Sequence, residues 1–390
     1  MLEIHDKEFS RFLYLCDMKS ENKKKLLLAF ANSLILLALV YIGDRMDFAF
    51  GAEGLVMKKV DLVRKLVGLE DKYETDDILA VNIGYDRDFV DAFNEYGFPV
   101  GRRAIVARGS LLALLDSLRG ADYRSLFIDV QFFKTDVTEY DSVLVAALNA
   151  TPRLVLPDMG ANDMIPGIDY SLFAKSTYGI TMNDANFVKY VFSSGGKPSV
   201  ARKIMEIEKG PEWRSGSRAL FLRLPYTIGS GYDDNLNKTL FHLGTDILGV
   251  YTSSQLARLV DGKTVIVGDF VGGDQHDTYV GSLSGPEITA NAILALRRGD
   301  DKVSAWVAIV MFAVYFCISI WVMVDVSRRL PKRIARSRLL AFAMSFVGFS
   351  TVILSMTVII YLITGVFHEL YLNTLWLSLF YLVYRKYHIK

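Results

Sequence analysis

The polar middle of this chain contains ILAVNIG (residues 78–84), a short, nearly continuous apolar run that is followed by Tyr85 and Asp86. A run of this length, apolar at almost every position, is typical of a strand buried on both faces of a parallel sheet. A second run of the same kind, KTVIVG, lies far along the chain at residues 263–268. These two runs predict an α/β fold with a mostly parallel central sheet.

Segments with helical periodicity alternate with the predicted strands. Residues 108–119 predict a helix, with Ser110 as its N-cap and Gly120 as the left-handed residue after its last turn. A strand at residues 125–130 then completes a β-α-β unit, whose strands should be parallel and whose crossover should be right-handed. Further helices are predicted within residues 44–77 and at 140–148, 199–207, 253–259 and 286–298, and further strands at 153–156 (ended by Pro157) and 219–224. We therefore expect a single α/β domain over residues 44–302, with helices on both faces of the sheet.

Apolar segments long enough to cross a bilayer flank this predicted domain. Of the 390 residues 52% are hydrophobic, and the mean hydropathy of +0.27 is high for a soluble protein. Spanning a bilayer takes about 20 mostly apolar residues. Four segments approach this length, at residues 26–43, 303–326, 339–364 and 370–384. The first follows a polar lead (residues 1–25) and lacks a cleavage site, which indicates an uncleaved signal anchor. The fourth is the shortest.

Lysine and arginine are concentrated in three short segments near the predicted spans. These segments are Lys23 to Lys25, the predicted loop at residues 327–338 and the tail at residues 385–390. With four spans all three lie on one side of the membrane, whereas with three spans the tail would lie on the other. The positive-inside rule therefore predicts that both termini are cytoplasmic and that residues 44–302 are outside.

Composition excludes several classes of protein. The 44 basic and 43 acidic residues give a net charge of +1, so no basic surface for nucleic acid is expected. The two cysteines, Cys16 and Cys317, lie outside the middle domain, which therefore has neither a disulfide nor a thiolate metal site. The only acidic residue within a predicted span is Asp325, near its cytoplasmic end, which argues against a transport path. Small residues at 341–351 allow close helix packing, within the chain or with a second copy.

Several motifs together resemble the second class of CHASE domains, extracellular sensory domains of bacterial cyclases and histidine kinases. The most specific resemblance is DGKTVIVG (residues 261–268), then Asp274 and Asp277, then GPEITAN (residues 285–291). Here Gly and Pro are swapped relative to the family pattern. Weaker similarity covers residues 78–86, residues 127–132 and Asp141 at the start of the next helix.

The resemblance implies a periplasmic sensory domain in a bacterial inner-membrane protein, and family members usually have one span before the domain and three after it. They typically continue into a cytoplasmic output domain, whereas this sequence ends at Lys390. We therefore expect the output to lie in a separate signalling or complex subunit. The ligand or protein that the domain binds in the periplasm is not identified by the resemblance.

Candidate ligand-binding residues follow the predicted strands, because ligands of doubly wound sheets bind beyond the carboxyl ends of the strands. An acidic pocket there would prefer cationic or hydroxyl-rich ligands, although Asp and Gly also serve as turn and cap residues at such positions. Asp129, inside a predicted strand, is instead expected to satisfy a buried partner. The candidates are Asp86, Asp88, Gln131, Asp269, Asp274, His276 and Asp277.

The segment DQHD (residues 274–277) is the one cluster with potential for metal binding or acid–base chemistry. In an extended segment Asp274 and His276 point the same way, but the helical His spacing and second anchor of hydrolases are missing. Gly272 and Gly273 would suit a phosphate only within a P-loop, which is absent. We therefore predict no catalytic residue, metal or cofactor.

Three hypotheses remain open from the sequence. The first is a sensing or binding subunit whose output lies in another protein. The second is a structural or scaffold subunit of an envelope complex, which uses the domain as a docking surface. The third is a membrane-bound hydrolase that uses Asp274 and His276.

Overall fold

The computed structural model describes residues 3–50, 53–69, 77–94, 96–158, 163–176, 178–180, 187–227, 238–239, 242–244, 251–325, 338–369 and 371–388. The chain divides into two compact units. The helical unit comprises Met1–Arg45 and Val303–Lys390, and the α/β unit comprises Met46–Lys302. The predicted basic loop at residues 327–338 lies almost entirely outside the described residues.

The helices and strands have the following bounds. The helices are α1 Glu3–Arg45, α2 Glu53–Leu66, α3 Arg108–Ser117, α4 Asp141–Ala150, α5 Val200–Lys209, α6 Ser253–Val260, α7 Gly285–Arg298, α8 Ala305–Asp325, α9 Arg338–Thr364 and α10 Tyr371–His388. The strands are β1 Ile78–Asn82, β2 Arg87–Phe93, β3 Pro99–Val106, β4 Ser125–Ile128, β5 Leu154–Asp158, β6 Phe173–Lys175, β7 Tyr178–Ile180, β8 Phe187–Val191, β9 Ser193–Ser194, β10 Lys197–Pro198, β11 Ala219–Phe221, β12 Tyr226–Thr227, β13 Lys238–Thr239, β14 His242–Gly244, β15 Thr264–Gly268, β16 Gln275–Thr278 and β17 Gly281–Ser284.

A six-stranded sheet with the order β14-β1-β15-β4-β5-β6 is the centre of the α/β unit. Every neighbouring pair in it is parallel, and β1 and β15 are buried along their whole length. The prediction of an α/β fold with a parallel sheet is thus confirmed. The two strands of the predicted β-α-β unit, β1 and β4, belong to the same parallel sheet. They are not neighbours, however, because β15 lies between them.

The apolar side chains of the sheet alternate between two faces, as the pleat requires. One face, with Leu79, Leu126 and Val265 among its members, packs against Leu114 of α3 and Leu148 of α4. On the other face, a Cβ atom on Gly268 would collide with Pro286 in the first turn of α7. Gly268 therefore permits the close approach of α7 to the end of β15.

Buried charges close the amino edge of this sheet. Glu208 of α5 accepts hydrogen bonds from Arg297 of α7, with Nη2 at 2.7 Å from Oε1 and 2.9 Å from Oε2. The hydroxyl of Ser125 donates to the same carboxylate at 2.8 Å, and the hydroxyl of Thr264 also contacts it. Ser125 and Thr264 are the first, register-paired residues of β4 and β15, so one ion pair ties two helices to two strands.

A second sheet with the order β11-β8-β16-β17, in which β7 also pairs with β8, completes the α/β unit. Most of its pairs are antiparallel. Helix α2 packs here, since Asp61 accepts hydrogen bonds from Tyr279 and from Arg223, both at 3.3 Å. Strands β2 and β3 form a separate antiparallel hairpin, which sequence patterns did not predict.

The structure corrects three local predictions. Helix α3 begins at Arg108, after the N-cap residue Ala107, so Ser110 is not its cap. Strand β5 continues through Pro157 to Asp158. Proline is tolerated there because the pairing of β5 with β4 ends at Val155, so β4 does not need the N–H that Pro157 lacks. The segment predicted as a strand at residues 219–224 is strand only over β11, which belongs to the second sheet.

Three helices of the described chain are long and apolar enough to span a membrane: Asn22–Arg45, Ala305–Met323 and Phe342–Thr364. These agree with the first three predicted spans. The fourth predicted span, residues 370–384, forms helix α10 but is not confirmed as a membrane span. Its buried Asn373, Thr374 and Ser378 lower its hydropathy.

Hydrogen bonds between polar side chains join the helices of the helical unit. Asn32 of α1 donates to the hydroxyl of Ser319 in α8 at 2.9 Å and accepts from the indole of Trp376 in α10 at 2.7 Å. Asn373 of α10 donates to the hydroxyl of Tyr315 in α8 at 2.6 Å. We call these bonds the polar seam. The polar seam gives a structural role to Asn373 and Trp376 of α10.

Candidate functional site

The carboxyl ends of β1, β4 and β15 lie side by side, because these strands are parallel and neighbours in the sheet order. The segments that follow them carry the candidate residues predicted from sequence. We call this region the carboxyl edge. Some carboxylates of the carboxyl edge accept hydrogen bonds from backbone N–H groups, whereas others are exposed to solvent.

Asp269, directly after β15, is engaged by its own loop. Its carboxylate accepts the backbone N–H groups of Val271 at 3.1 Å, Gly272 at 2.7 Å and Gly273 at 3.1 Å, and it forms an ion pair with Arg87. The N–H groups of both glycines already point at a carboxylate. An incoming phosphate would be repelled there, so Gly272 and Gly273 form a turn and not a phosphate cradle.

Asp88 and the backbone of Asp86 organise the start of α3. The Asp88 carboxylate accepts the N–H of Arg108 at 3.2 Å, and the Asp86 carbonyl accepts the N–H of Ala107 at 3.0 Å. The fully buried Arg108 guanidinium lies 4.6 Å from the Phe132 ring and 3.8 Å from Asp141. Burial lowers the pKa of Arg108, against the attraction of Asp141 and Asp88. Asp88 therefore caps a helix and helps to neutralise a buried cation.

Asp129, Asp274 and His276 form the titratable cluster of the carboxyl edge. Nε2 of His276 lies 3.1 Å from Oδ1 of Asp274, and this hydrogen bond is the main cause that raises the pKa of His276. Burial, and then the charge of Asp274, raise the pKa of Asp129 to about 7, while His276 opposes them. The cluster can therefore gain or lose a proton near neutral pH.

Asp129 occupies a position different from the one expected from sequence. Strand β4 ends at Ile128, so Asp129 is the first residue of the carboxyl edge and not part of the strand. Its N–H donates to the carbonyl of Val267 at 2.7 Å, which fixes its backbone next to the end of β15. Its position directly after four buried residues is the sequence signal that could have identified it.

The other predicted candidates, Gln131 and Asp277, are exposed. No group of three or more His, Cys, Asp and Glu side chains within the described ranges is arranged to hold a metal ion. Of the seven candidates, the structure thus brings Asp274 and His276 together and adds Asp129 to them.

The GPEITAN motif that carries the resemblance has a packing role here. Glu287 accepts from the N–H and hydroxyl of Ser284, both at 2.8 Å, in a capping box that starts α7. Asn291 accepts the N–H of Tyr226 at 3.1 Å and donates to its carbonyl at 2.9 Å. Both side chains are buried, so they position backbone and are not exposed to a ligand. Comparison of the chain with family models, with curated proteins and with solved structures finds no match.

Proposed function

We propose that this chain is a membrane-anchored sensory or binding protein whose α/β unit binds its ligand at the carboxyl edge. The observation that carries the proposal is the cluster of Asp129, Asp274 and His276, which lies where ligands of parallel α/β sheets bind. Three membrane-compatible helices support the anchoring. The resemblance to CHASE domains and the distribution of Lys and Arg favour a periplasmic α/β unit in a bacterial inner membrane.

The charges of the cluster favour a cationic or hydroxyl-rich ligand. A bound ammonium group can replace the proton of Asp129, because it balances the two neighbouring carboxylates. Binding would then release a proton near pH 7 and change the electrostatic environment of His276. A sensor has to convert ligand binding into a change of this kind.

The signal would pass through the helical unit to a separate partner protein. The polar seam supports this step, because it ties α1, α8 and α10 to one another through buried hydrogen bonds. Helices joined in this way are expected to shift together and not one by one.

The test uses the full chain in lipid nanodiscs, with spermidine as a cationic probe and its uncharged analogue 1,8-octanediol for comparison. Selective labelling of the five histidines makes the imidazole signal of His276 observable by NMR, and its assignment comes from a His276→Gln variant. We expect a saturable shift with spermidine that disappears in Asp129→Asn. The matched control is Asp116→Asn, an exposed carboxylate of α3, which should retain the shift. Absence of saturation, or equal loss in both variants, contradicts the proposal.

A second candidate function, a docking subunit, is favoured by the β2–β3 hairpin. Within the described residues its two strands pair only with each other, and it exposes large apolar side chains. Exposed fractions are 58% for Phe89, 57% for Phe93, 76% for Tyr96 and 66% for Phe98. Contiguous exposed apolar groups of this kind often mark a protein interface.

Purification from native membranes distinguishes the two functions. If the hairpin docks a protein, a Phe89→Ser/Phe98→Ser variant should lose a stoichiometric partner that the unmodified chain retains. The control Val143→Ser changes an exposed apolar residue of α4 (55% exposed) and should leave that partner bound. Retention of the same partners by both variants would speak against the docking function.

A further inference from the structure

A separate cleft lies beside β5 and β6, the last two strands in the order of the six-stranded sheet. Its volume is about 300 Å³, which is at the lower limit for small-molecule sites. Asp158, the last residue of β5, contributes to it. The lining residues are Asp158, Met164, Tyr170, Ser171, Phe173, Lys197, Pro198 and Lys203. None of them belongs to the titratable cluster of Asp129, Asp274 and His276.

The cleft has an excess of positive charge. Two lysines, Lys197 and Lys203, line it together with the single carboxylate of Asp158, which gives a net charge of +1. Nζ of Lys197 donates to Asp158 at 2.9 Å, and Lys175 approaches the same carboxylate at 3.9 Å. Two cations thus surround this one anion, so Asp158 is already neutralised, and Lys203 supplies the remaining positive charge of the lining.

Lys203 is held in place by backbone carbonyl groups. Its ammonium donates to the carbonyl of Ser171 and to that of Phe173 at 3.1 Å. An ammonium group has three N–H donors, so one remains for a ligand. Burial lowers the pKa of Lys203, and Glu206 and Asp169 oppose this effect; Asp169 lies outside the lining, and Glu206 pairs with Arg202 at 2.9 Å.

Apolar and aromatic side chains also line this cleft. Tyr170 is 68% exposed, and its ring centroid lies 6.3 Å from that of Phe173 in a tilted arrangement. Met164 and Pro198 extend this lining. An exposed aromatic ring that is fixed against a second ring offers a surface on which a planar group can stack.

We propose that this cleft is a binding site for a small organic anion, a carboxylate carried on a planar apolar body. The carboxylate pairs with Lys203, and the planar body packs against Tyr170 and Phe173. The inference stands on the contacts of this cleft alone and does not depend on ligand binding at the titratable cluster. A structural role for Lys203 as a donor to two carbonyls accounts for its position but not for the exposed ring of Tyr170 in the same cleft.

The test is a calorimetric titration of the full chain in nanodiscs with benzoate, and with benzamide as its uncharged counterpart. We expect saturable benzoate binding with a dissociation constant of about 1 mM or lower, and much weaker binding of benzamide. Lys203→Met should weaken benzoate binding roughly 10-fold or more, since it removes a charge-assisted hydrogen bond. Tyr170→Ala should weaken it several-fold. Lys209→Met, which changes an exposed lysine of the same helix, is the matched control and should bind normally.

Equal binding of benzamide and benzoate, no saturation with benzoate, or equal weakening by Lys209→Met would each overturn the proposal. If Lys203→Met does not fold because two carbonyls lose their donor, Tyr170→Ala decides, since its ring is mostly exposed. Reduced benzoate binding by that variant supports the site, and unchanged binding overturns it. Asp129→Asn should bind benzoate normally, which separates this site from the carboxyl-edge cluster.

Discussion

Charged side chains at the two ends of the parallel sheet differ in their exposure to solvent. At the amino edge Glu208 and Arg297 are paired in the protein interior, and the side chain of Glu208 is only 2% exposed. At the carboxyl edge Asp274 is 49% exposed and its partner His276 is 32% exposed. The same kinds of side chain are thus locked at one edge and accessible to solvent at the other.

The contrast separates the charges that the fold holds in its interior from those that remain accessible to a ligand. A buried ion pair holds its partners because leaving either one alone in the interior is very unfavourable. A carboxylate that is partly solvated can exchange its proton or partner at little cost. Substitutions of charged residues at the amino edge should therefore lower the free energy of unfolding more than substitutions of exposed ones at the carboxyl edge.

The largest effect is expected from Glu208→Ala at the amino edge. The substitution removes the buried carboxylate that contacts Arg297 at 2.7 Å and leaves it only the more distant and more exposed Asp77 at 3.9 Å, so it should lower the free energy of unfolding by about 3 kcal/mol. Denaturant titration followed by circular dichroism measures this change. The control Glu206→Ala removes a partly exposed i, i+4 pair with Arg202 in the same helix and should cost no more than about 1 kcal/mol. Equal effects would refute the distinction.

Asp88→Ala should have an intermediate effect, although Asp88 lies at the carboxyl edge. It removes the cap of α3 and one of the carboxylates near Arg108, so we expect a loss of about 1–2 kcal/mol. Asp91→Ala, in the same strand, removes only an exposed pair with Arg102 at 4.0 Å and should change stability by a few tenths of a kcal/mol. If Asp88→Ala is equally harmless, Asp88 does not stabilise the start of α3.

Asp129→Asn should change the pH dependence of stability. The folded-state pKa of Asp129, about 7, lies above its ordinary value of 3.8, so the folded chain loses stability as the pH rises from about 4 to 7. The raised pKa of His276 acts in the same direction at higher pH. Because Asp129 is partly exposed, solvent reduces the effect to roughly 1 kcal/mol, or about 2 °C in the unfolding midpoint.

Thermal unfolding of both chains at pH 4 and pH 8 measures this difference. The variant should be more stable than the unmodified chain at pH 8 and similar to it at pH 4, where Asp129 is protonated in the folded chain and partly so in the unfolded chain. Parallel pH profiles of the two chains would show that Asp129 does not titrate near neutral pH.

The smallest effect is expected from Asp277→Asn. This side chain is exposed on β16, and substitutions at such positions usually leave stability almost unchanged. Its unfolding midpoint should equal that of the unmodified chain at both pH values. A clear shift would show that the exposed part of the carboxyl edge also supports the fold.

Much of the parallel sheet was predictable because its strands are buried on both faces. Residues 78–84 and 263–268 lack the alternation of a half-exposed strand, and both form central strands of the sheet. Helix α7 was equally clear, since Pro286 lies in its first turn and Gly299 ends it with a left-handed conformation. The strand order was not predictable, because apolar runs of similar length and composition carry little information about their neighbours.

The candidate site was predictable in location but not in detail. Asp269, Asp274 and Asp129 have the same chemistry in the sequence, and only the tertiary contacts show that Asp269 is engaged by its own loop. The hairpin was not predicted, because no element was assigned to residues 87–106; its Phe89 and Phe93 are exposed. The cleft was missed because Lys203 and Tyr170 come from distant segments that meet only after β6 joins the sheet.

The place of β15 in the sheet also fixes the order in which the sheet can be completed. Strands β1 and β4 are synthesised long before β15, yet they cannot have their native neighbours until residues 264–268 arrive and insert between them. Such distant pairing makes folding slow, and strands that wait with open edges can pair with other chains. A nascent chain shorter than about 264 residues therefore lacks the strand that pairs with both β1 and β4.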